Sequence, residues 1–341
     1  MKGKKILVFG AGGFIGTYLI DELVKQGYDV TASDISEIGE EYYRSQKINY
    51  VPVDITNEDD FKKLGSSPFD VVINLAALQP ANFATKKYKL SDYIKINVSG
   101  TFNILEFCRT TKSGKIIYGS SHRNTSGLWK KDKAIREEEG RSQQYGGEYS
   151  MFSIAESAAQ DCVEFFRANY GIKGIIFRLP PVYGYGPHLE IYKEGKPIKT
   201  GFQTFIDSAK ACKPLEVWGD SSRGRDIIYV KDVVSAFIKA INSENAGGLY
   251  NITSNKYLTL KEEVDIIAKV FWGDDTKPVV IEKPEHSLTM DSFLYDNSKA
   301  KKELDWSPQY SFEDMLRDYK KEMEKQKFGF LLEKRKNMFK E

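Results

Sequence analysis

Apolar residues along this chain gather in short runs separated by helical patterns. Ile6 to Phe9 form an unbroken apolar run, a glycine-rich turn follows, and Thr17 to Gln26 repeat apolar positions at three- and four-residue spacing. That order predicts a buried strand, a turn and an amphipathic helix. A second strand is expected over Asp29–Ser33, and others over 48–54, 70–77, 114–120 and 172–179, with helical patterns between them. Strands alternating with helices predict an α/β chain with a parallel sheet covered on both faces. Ligands of such sheets bind outside the carboxyl ends of the strands, so those ends carry the candidate chemistry. The patterns at 92–110 and 150–169 put apolar positions on more than one face, so each is either buried in its own chain or covered by a second copy.

The first turn reads Gly10-Ala11-Gly12-Gly13-Phe14-Ile15-Gly16. Gly10 permits a tight turn, Gly13 lets the backbone approach a diphosphate, and Gly16 lets the helix pack on the strand. The anion then meets the open N–H groups of the helix start at Phe14 and Ile15. The second strand ends in Asp34, eighteen positions after Gly16, where a carboxylate accepts the ribose hydroxyls of NAD. Turn, helix and acid together point to NAD as cofactor. Further strand ends carry Asp54-Ile55, Leu75-Ala76-Ala77 and Ser120-Ser121-His122. Asp54 is placed to accept from the adenine amino group, and the small residues at 75–77 leave room for ribose and diphosphate.

Composition narrows the partners. The 341 residues carry 50 Lys+Arg against 48 Asp+Glu, with no dense basic patch, so a nucleic-acid partner is not expected. Cys108, Cys162 and Cys212 are odd in number and sit in apolar stretches, which predicts buried free thiols in a reducing compartment. With three scattered histidines they show no metal-ligand spacing. Neither a signal peptide nor a membrane-length apolar run is visible, which predicts a cytoplasmic protein. The polar stretch 128–147 reads as a long surface loop that either closes over a ligand or stays solvated. The stretch 185–199 reads as a flexible lip with His188 exposed, and the tail 320–341 as a helix with one apolar patch.

Taken together these residues resemble the extended short-chain dehydrogenase/reductase family, whose best-known members are nucleotide-sugar epimerases and dehydratases. The resemblance rests on Gly10-x-x-Gly13-x-x-Gly16, Asp34, Asp54-Ile55, Leu75-Ala76-Ala77, Ile96-Asn97-Val98-Ser99-Gly100-Thr101 and Arg178 with Val182-Tyr183-Gly184. It continues through Gly219-Asp220, Arg225 to Val233, Asp296-x-Ser298-Lys299-Ala300 and Glu303 to Pro308. It implies a Rossmann-type doubly wound parallel sheet with a smaller α/β substrate-binding C-terminal lobe. The division it suggests is 1–179 plus about 227–254 for NAD, about 180–226 plus 255–320 for a nucleotide-sugar, and a tail at 321–341. Asn97 and Ser120 are carried over as cofactor-binding, Arg225 as the cation for the substrate's phosphates, and helices near 92–110 and 150–169 as a homodimer interface.

The family's chemistry uses a Tyr-x-x-x-Lys helix and a Ser or Thr at a strand end. The tyrosine exchanges a proton with a sugar hydroxyl while the nicotinamide takes or gives the hydride. Lowering a phenol pKa from ~10 to neutrality asks for about 4 kcal/mol, which the lysine's charge helps to supply. Here Tyr149 is the candidate tyrosine, and four residues on stands Ser153 in place of the lysine. His122 falls on the hydroxyl position, with Ser121 beside it. Three readings stay open: His122 supplies the missing charge or relays a proton, or it is structural and Ser121 carries the hydroxyl role, or binding persists without turnover. Pro181 occupies the place of a substrate-binding asparagine, so that contact is lost or moved. An epimerase is the leading expectation, ahead of a dehydratase or a reductase.

Overall fold

Seven parallel strands form the central sheet: β1 (Lys5–Phe9), β2 (Asp29–Ser33), β3 (Asn49–Tyr50), β4 (Val71–Asn74), β5 (Lys115–Ser121), β6 (Lys173–Leu179) and β7 (Gly248–Asn251). Their spatial order is β7-β6-β5-β4-β1-β2-β3. The order reverses at β1, which leaves the crevice above β1 and β4 where α/β sheets bind ligands. The computed structural model describes residues 3–338 apart from 36, 84, 86, 131–132, 187–189, 194, 274–276 and 287–290. His188 therefore lies outside the described residues.

The crossover helices are α1 (Phe14–Lys25), α2 (Glu37–Ser45), α3 (Gly100–Thr111), α4 (Ser150–Tyr170) and α5 (Val230–Asn242). Later come α6 (Leu260–Phe271), α7 (Phe312–Glu324) and α8 (Gly329–Met338). Alternate residues of one strand enter opposite cores. Ile6 and Val8 pack with α1 and α5, and Leu7 and Phe9 pack with α3 and α4, all at 1% exposure or less. This two-sided burial is why the strands read as continuous apolar runs. Among the described residues no helix is long and apolar enough to cross a membrane.

The pattern expected as one helix over 92–110 is three pieces: a turn at Ser91–Tyr93, a π-helical turn at Ile94–Ser99, and α3. The wide turn aims Asn97 inward, where its side chain bonds both backbone groups of Leu78. The loop at 128–147 is fastened to the body rather than free. Ala134–Ile135 pairs with Leu294–Tyr295, Glu137 accepts from the Asn251 N–H at 2.7 Å, and Arg178 donates to the Gly140 carbonyl. The tail docks on its own chain, with Phe328 against Tyr18 and Phe330 stacked on Tyr42. Of the cysteines, Cys108 is buried, Cys162 is half-buried and Cys212 is exposed, so the expectation of three buried thiols is corrected at Cys212.

Candidate active site

The glycine turn is built as a cradle. Gly10 has φ +77°, and a Cβ there would lie 2.5 Å from the Leu75 carbonyl carbon and 2.6 Å from the Ala76 nitrogen. A Cβ on Gly16 would collide with the Gly10 carbonyl oxygen. Gly13 caps α1, which has no side-chain cap and no acidic residue in its first turn, so its open N–H groups suit an anion. The Gly12 N–H donates to the Asp34 carboxylate at 3.0 Å, which brings that acid to the turn.

One cavity of about 600 Å³ is lined by Gly10, Gly13, Asp34, Asp54, Ile55, Leu75, Ala76 and Ala77. These eight cofactor candidates therefore share one site, and the cradle fits a dinucleotide's diphosphate. Asp54 also has a local duty, accepting from the N–H and hydroxyl of Thr56. Ile15 and Gly16 stand behind this wall in α1, while Asn97 and Ser120 reach it through neighbours. Leu331, in the wall of the same cavity beside Gly39, was not foreseen. The apolar patch of the tail was the available signal.

A second cavity of about 940 Å³ opens on the other side of the α1 start, with Phe14 in its wall as Gly13 is in the first. Pro181, Tyr183, Phe202, Trp218, Arg225 and Glu263 line it. Arg225 Nη2 donates to the Tyr183 hydroxyl at 2.7 Å and lies 3.9 Å from the buried Glu263 carboxylate. Its Nε is buried and has no hydrogen-bond partner among the described residues. Pro181 offers the cavity no side-chain polar group, and its carbonyl accepts from the Ile228 N–H. Trp218 stacks on His286 at 4.7 Å.

The catalytic candidates are held mainly by local structural contacts. Tyr149 is the N-cap of α4 and half-exposed, with the Arg123 guanidinium 3.8 Å from its ring centre. Burial raises its pKa above the usual phenol value, Arg123 works against that, and Glu148 and Asp291 add to it. The Ser153 hydroxyl donates to the Tyr149 carbonyl at 3.0 Å, so it serves the helix. Ser121 accepts from the Arg123 N–H as a turn cap. His122 is stacked on Trp129, packed on Phe293 and bonded through Nδ1 to the Leu179 carbonyl. Burial drives its pKa well below the imidazole range, and Arg123, Arg225 and Arg178 push the same way. A proton on His122 is thereby disfavoured, which argues against its supplying a positive charge.

The side chain that α4 presents to the sheet edge is Glu156. It is 1% exposed and takes bonds from Tyr118 (3.0 Å), Ser120 (3.3 Å) and Asn97 (3.2 Å). Phe152, four residues before it, is buried in one cluster with Leu78 and Tyr93. A lone acid within the buried stripe of Phe152, Ala155, Ala159 and Val163 was the signal that sequence reasoning passed over.

Residues 6–253 match the sequence profile of the NAD dependent epimerase/dehydratase family. The chain belongs to that family. A Methanocaldococcus jannaschii relative provisionally named UDP-glucose 4-epimerase is 27% identical over 315 residues, covering 92% of this chain and 96% of the relative. The dTDP-glucose 4,6-dehydratase of Haemophilus influenzae is 25% identical, covering 92% and 95%. Among solved structures, the Thermotoga maritima UDP-glucose 4-epimerase with UDP-glucose superposes with a TM-score of 0.77 at 25% identity, covering 94% of this chain and 99% of that one. This epimerase/dehydratase family member is thus an NAD-dependent enzyme with the family's α/β fold.

Proposed function

We propose that the protein is an NAD-dependent epimerase of a nucleotide-linked sugar, with the sugar nucleotide held in the 940 Å³ cavity. The observation that supports this reading is the Arg225 guanidinium in the cavity wall, held against the Tyr183 hydroxyl and the Glu263 carboxylate. A planar multi-donor cation in such a cavity suits the oxygens of a diphosphate. Trp218 offers a flat apolar face for a base. Bound NAD supplies a reversible hydride acceptor for the sugar carbon. Tyr149 is the proton-exchanging phenol of this reading, with Arg123 favouring its charged form. The relative solved with UDP-glucose makes UDP-sugars the first compounds to try.

A homodimer belongs to the same proposal. Ile94, Phe102, Phe165 and Tyr170 are exposed large apolar residues in and beside α3 and α4, as a shared helical interface requires. A second reading, a protein that binds NAD and sugar nucleotide without turnover, is favoured by the raised Tyr149 pKa and the engaged Ser153 hydroxyl.

Incubation with NAD and UDP-, GDP-, CDP- and dTDP-sugars, read by proton NMR and by near-ultraviolet absorbance of reduced nicotinamide, separates the readings. Inversion at one ring carbon, lost in Tyr149→Phe, is the expected result. Binding without inversion supports the second reading, and neither binding nor inversion overturns both.

A further inference from the structure

The cofactor reading gives no task to Glu156, a buried acid beside the cofactor cavity. Glu156 sits behind the cavity wall where three elements meet: α4, the carboxyl end of β5 and the π-helical turn. One carboxylate oxygen takes the Asn97 amide N–H, and that amide grips both backbone groups of Leu78, which lines the cofactor cavity. The other oxygen takes the hydroxyls of Tyr118 and Ser120, and Ser120 stands at the carboxyl end of β5. A carboxylate accepting three donors fixes all three in place.

The placement along the sheet decides which half of the cofactor this acid feels. Asp34 follows β2, and the strands run β2, β1, β4, β5. Three strand spacings of roughly 4.8 Å put the β5 edge about 14 Å from Asp34. A dinucleotide held with its adenosine ribose on Asp34 and its diphosphate on the α1 turn would reach toward that edge with its other half. The nicotinamide ring carries a positive charge when oxidised and none when reduced.

We propose that Glu156 is a positioning residue of the cofactor site, holding Leu78 through Asn97 and the β5 end through Ser120, and that it releases a proton when oxidised NAD binds but not when NADH binds. This inference rests on the NAD reading and not on the identity of the sugar. The groups facing Glu156 are Asn97 from the π-helical turn and Tyr118 and Ser120 from β5, with Cys162 of α4 near Tyr118. Tyr118 is held protonated by burial and by Glu156 itself. The bonds that Glu156 accepts all come from uncharged groups. Burial raises its pKa to about 7, with the hydrogen bonds of Tyr118, Ser120 and Asn97 acting the other way. A carboxyl so placed is partly protonated at neutral pH, and a nearby fixed positive charge lowers its pKa and expels the proton to solvent.

Calorimetric titration of the full chain with NAD and with NADH, at pH 7 in two buffers of different ionisation enthalpy, measures the exchanged proton directly. Release of a fraction of one proton with NAD, absent with NADH, is expected. At NAD concentrations that saturate the variant, Glu156→Gln should weaken binding and abolish the release, and Glu156→Asp should restore part of it. For preparations that retain their cofactor, the infrared difference spectrum on chemical reduction of the bound NAD should show a protonated-carboxyl band gained, and Glu156→Gln should lack it. NAD binding without proton exchange, or exchange unchanged in Glu156→Gln, overturns this inference and leaves the NAD reading standing. Absence of any NAD binding overturns both, and failure of the sugar panel alone touches neither.

Discussion

Replacing Gly10 by alanine tests the cradle quantitatively, because Gly65 provides an internal control. Both glycines have positive φ, +77° and +75°, and Gly65 has ψ −172°. A side chain in such a conformation is strained by about 1–3 kcal/mol. At Gly65 nothing lies within 4 Å of the new Cβ, so the backbone cost stands alone. At Gly10 the new atom meets the Leu75 carbonyl carbon at 2.5 Å and the Ala76 nitrogen at 2.6 Å. Both are backbone atoms and cannot rotate away, so an overpacking cost of about 1–3 kcal/mol adds to the first. Relief requires β1 and the segment after β4 to separate, which displaces the floor of the cofactor cavity. Gly10→Ala should therefore lower the urea midpoint through the clash as well as the strain, and Gly65→Ala through the strain alone. NAD calorimetry should show affinity weakened about 5- to 100-fold in Gly10→Ala and unchanged in Gly65→Ala. Equal midpoints together with equal NAD affinity would refute the reasoning.

Three further outcomes are expected. Arg225→Met removes the charged donor from the larger cavity, so sugar-nucleotide affinity should fall by about 1.5–3 kcal/mol while NAD affinity holds; a calorimetric titration with UDP-glucose showing no change would remove Arg225 from the substrate site. Unfolded carboxyls ionise near pH 4, whereas Glu156 keeps its proton to about 7 in the folded chain. Its contribution to stability is full below the unfolded value and is lost as pH rises to about 7, so the thermal midpoint of the parent should fall relative to that of Glu156→Gln from pH 5 to 7.5; a parent midpoint that rises relative to the variant contradicts the assignment. Deleting residues 329–341 removes Leu331, 3% exposed in the cofactor cavity wall, so NAD should dissociate faster in stopped-flow measurements, and an unchanged rate would dismiss the tail as a cavity wall.

What the chain reveals before folding is set by how local each signal is. β1 and β2 were readable because each is a short apolar run buried on both faces, followed by residues whose turn chemistry leaves few choices. The strand expected at 48–54 shrinks to Asn49–Tyr50, since it pairs with β2 alone and Pro52 has no N–H to continue the ladder. The π-helical turn was hidden because one extra residue per turn barely alters an apolar spacing that already wraps round the helix. Ala134–Ile135 could not be placed in advance, for its partner Leu294–Tyr295 lies far along the chain.

The candidate site divides along the same line. The glycine turn, Asp34 and the residues at 75–77 were legible and share one cavity. Tyr149 stands just before the helix expected over 150–169, and the helix does begin at Ser150 with Tyr149 as its cap against Arg123, while Glu156 further along the same helix turns inward. Its importance lies in partners from two other elements, which no local pattern reports.

The central claim is that the opening turn grips a dinucleotide and that Asp34 selects its unphosphorylated ribose. Calorimetric titration of the purified chain with NAD and with NADP tests it most directly. One NAD per chain should bind, with NADP much weaker because its extra phosphate meets the Asp34 carboxylate, and Asp34→Ser should narrow that difference. No heat with NAD, or equal affinity for the two cofactors, would contradict the account.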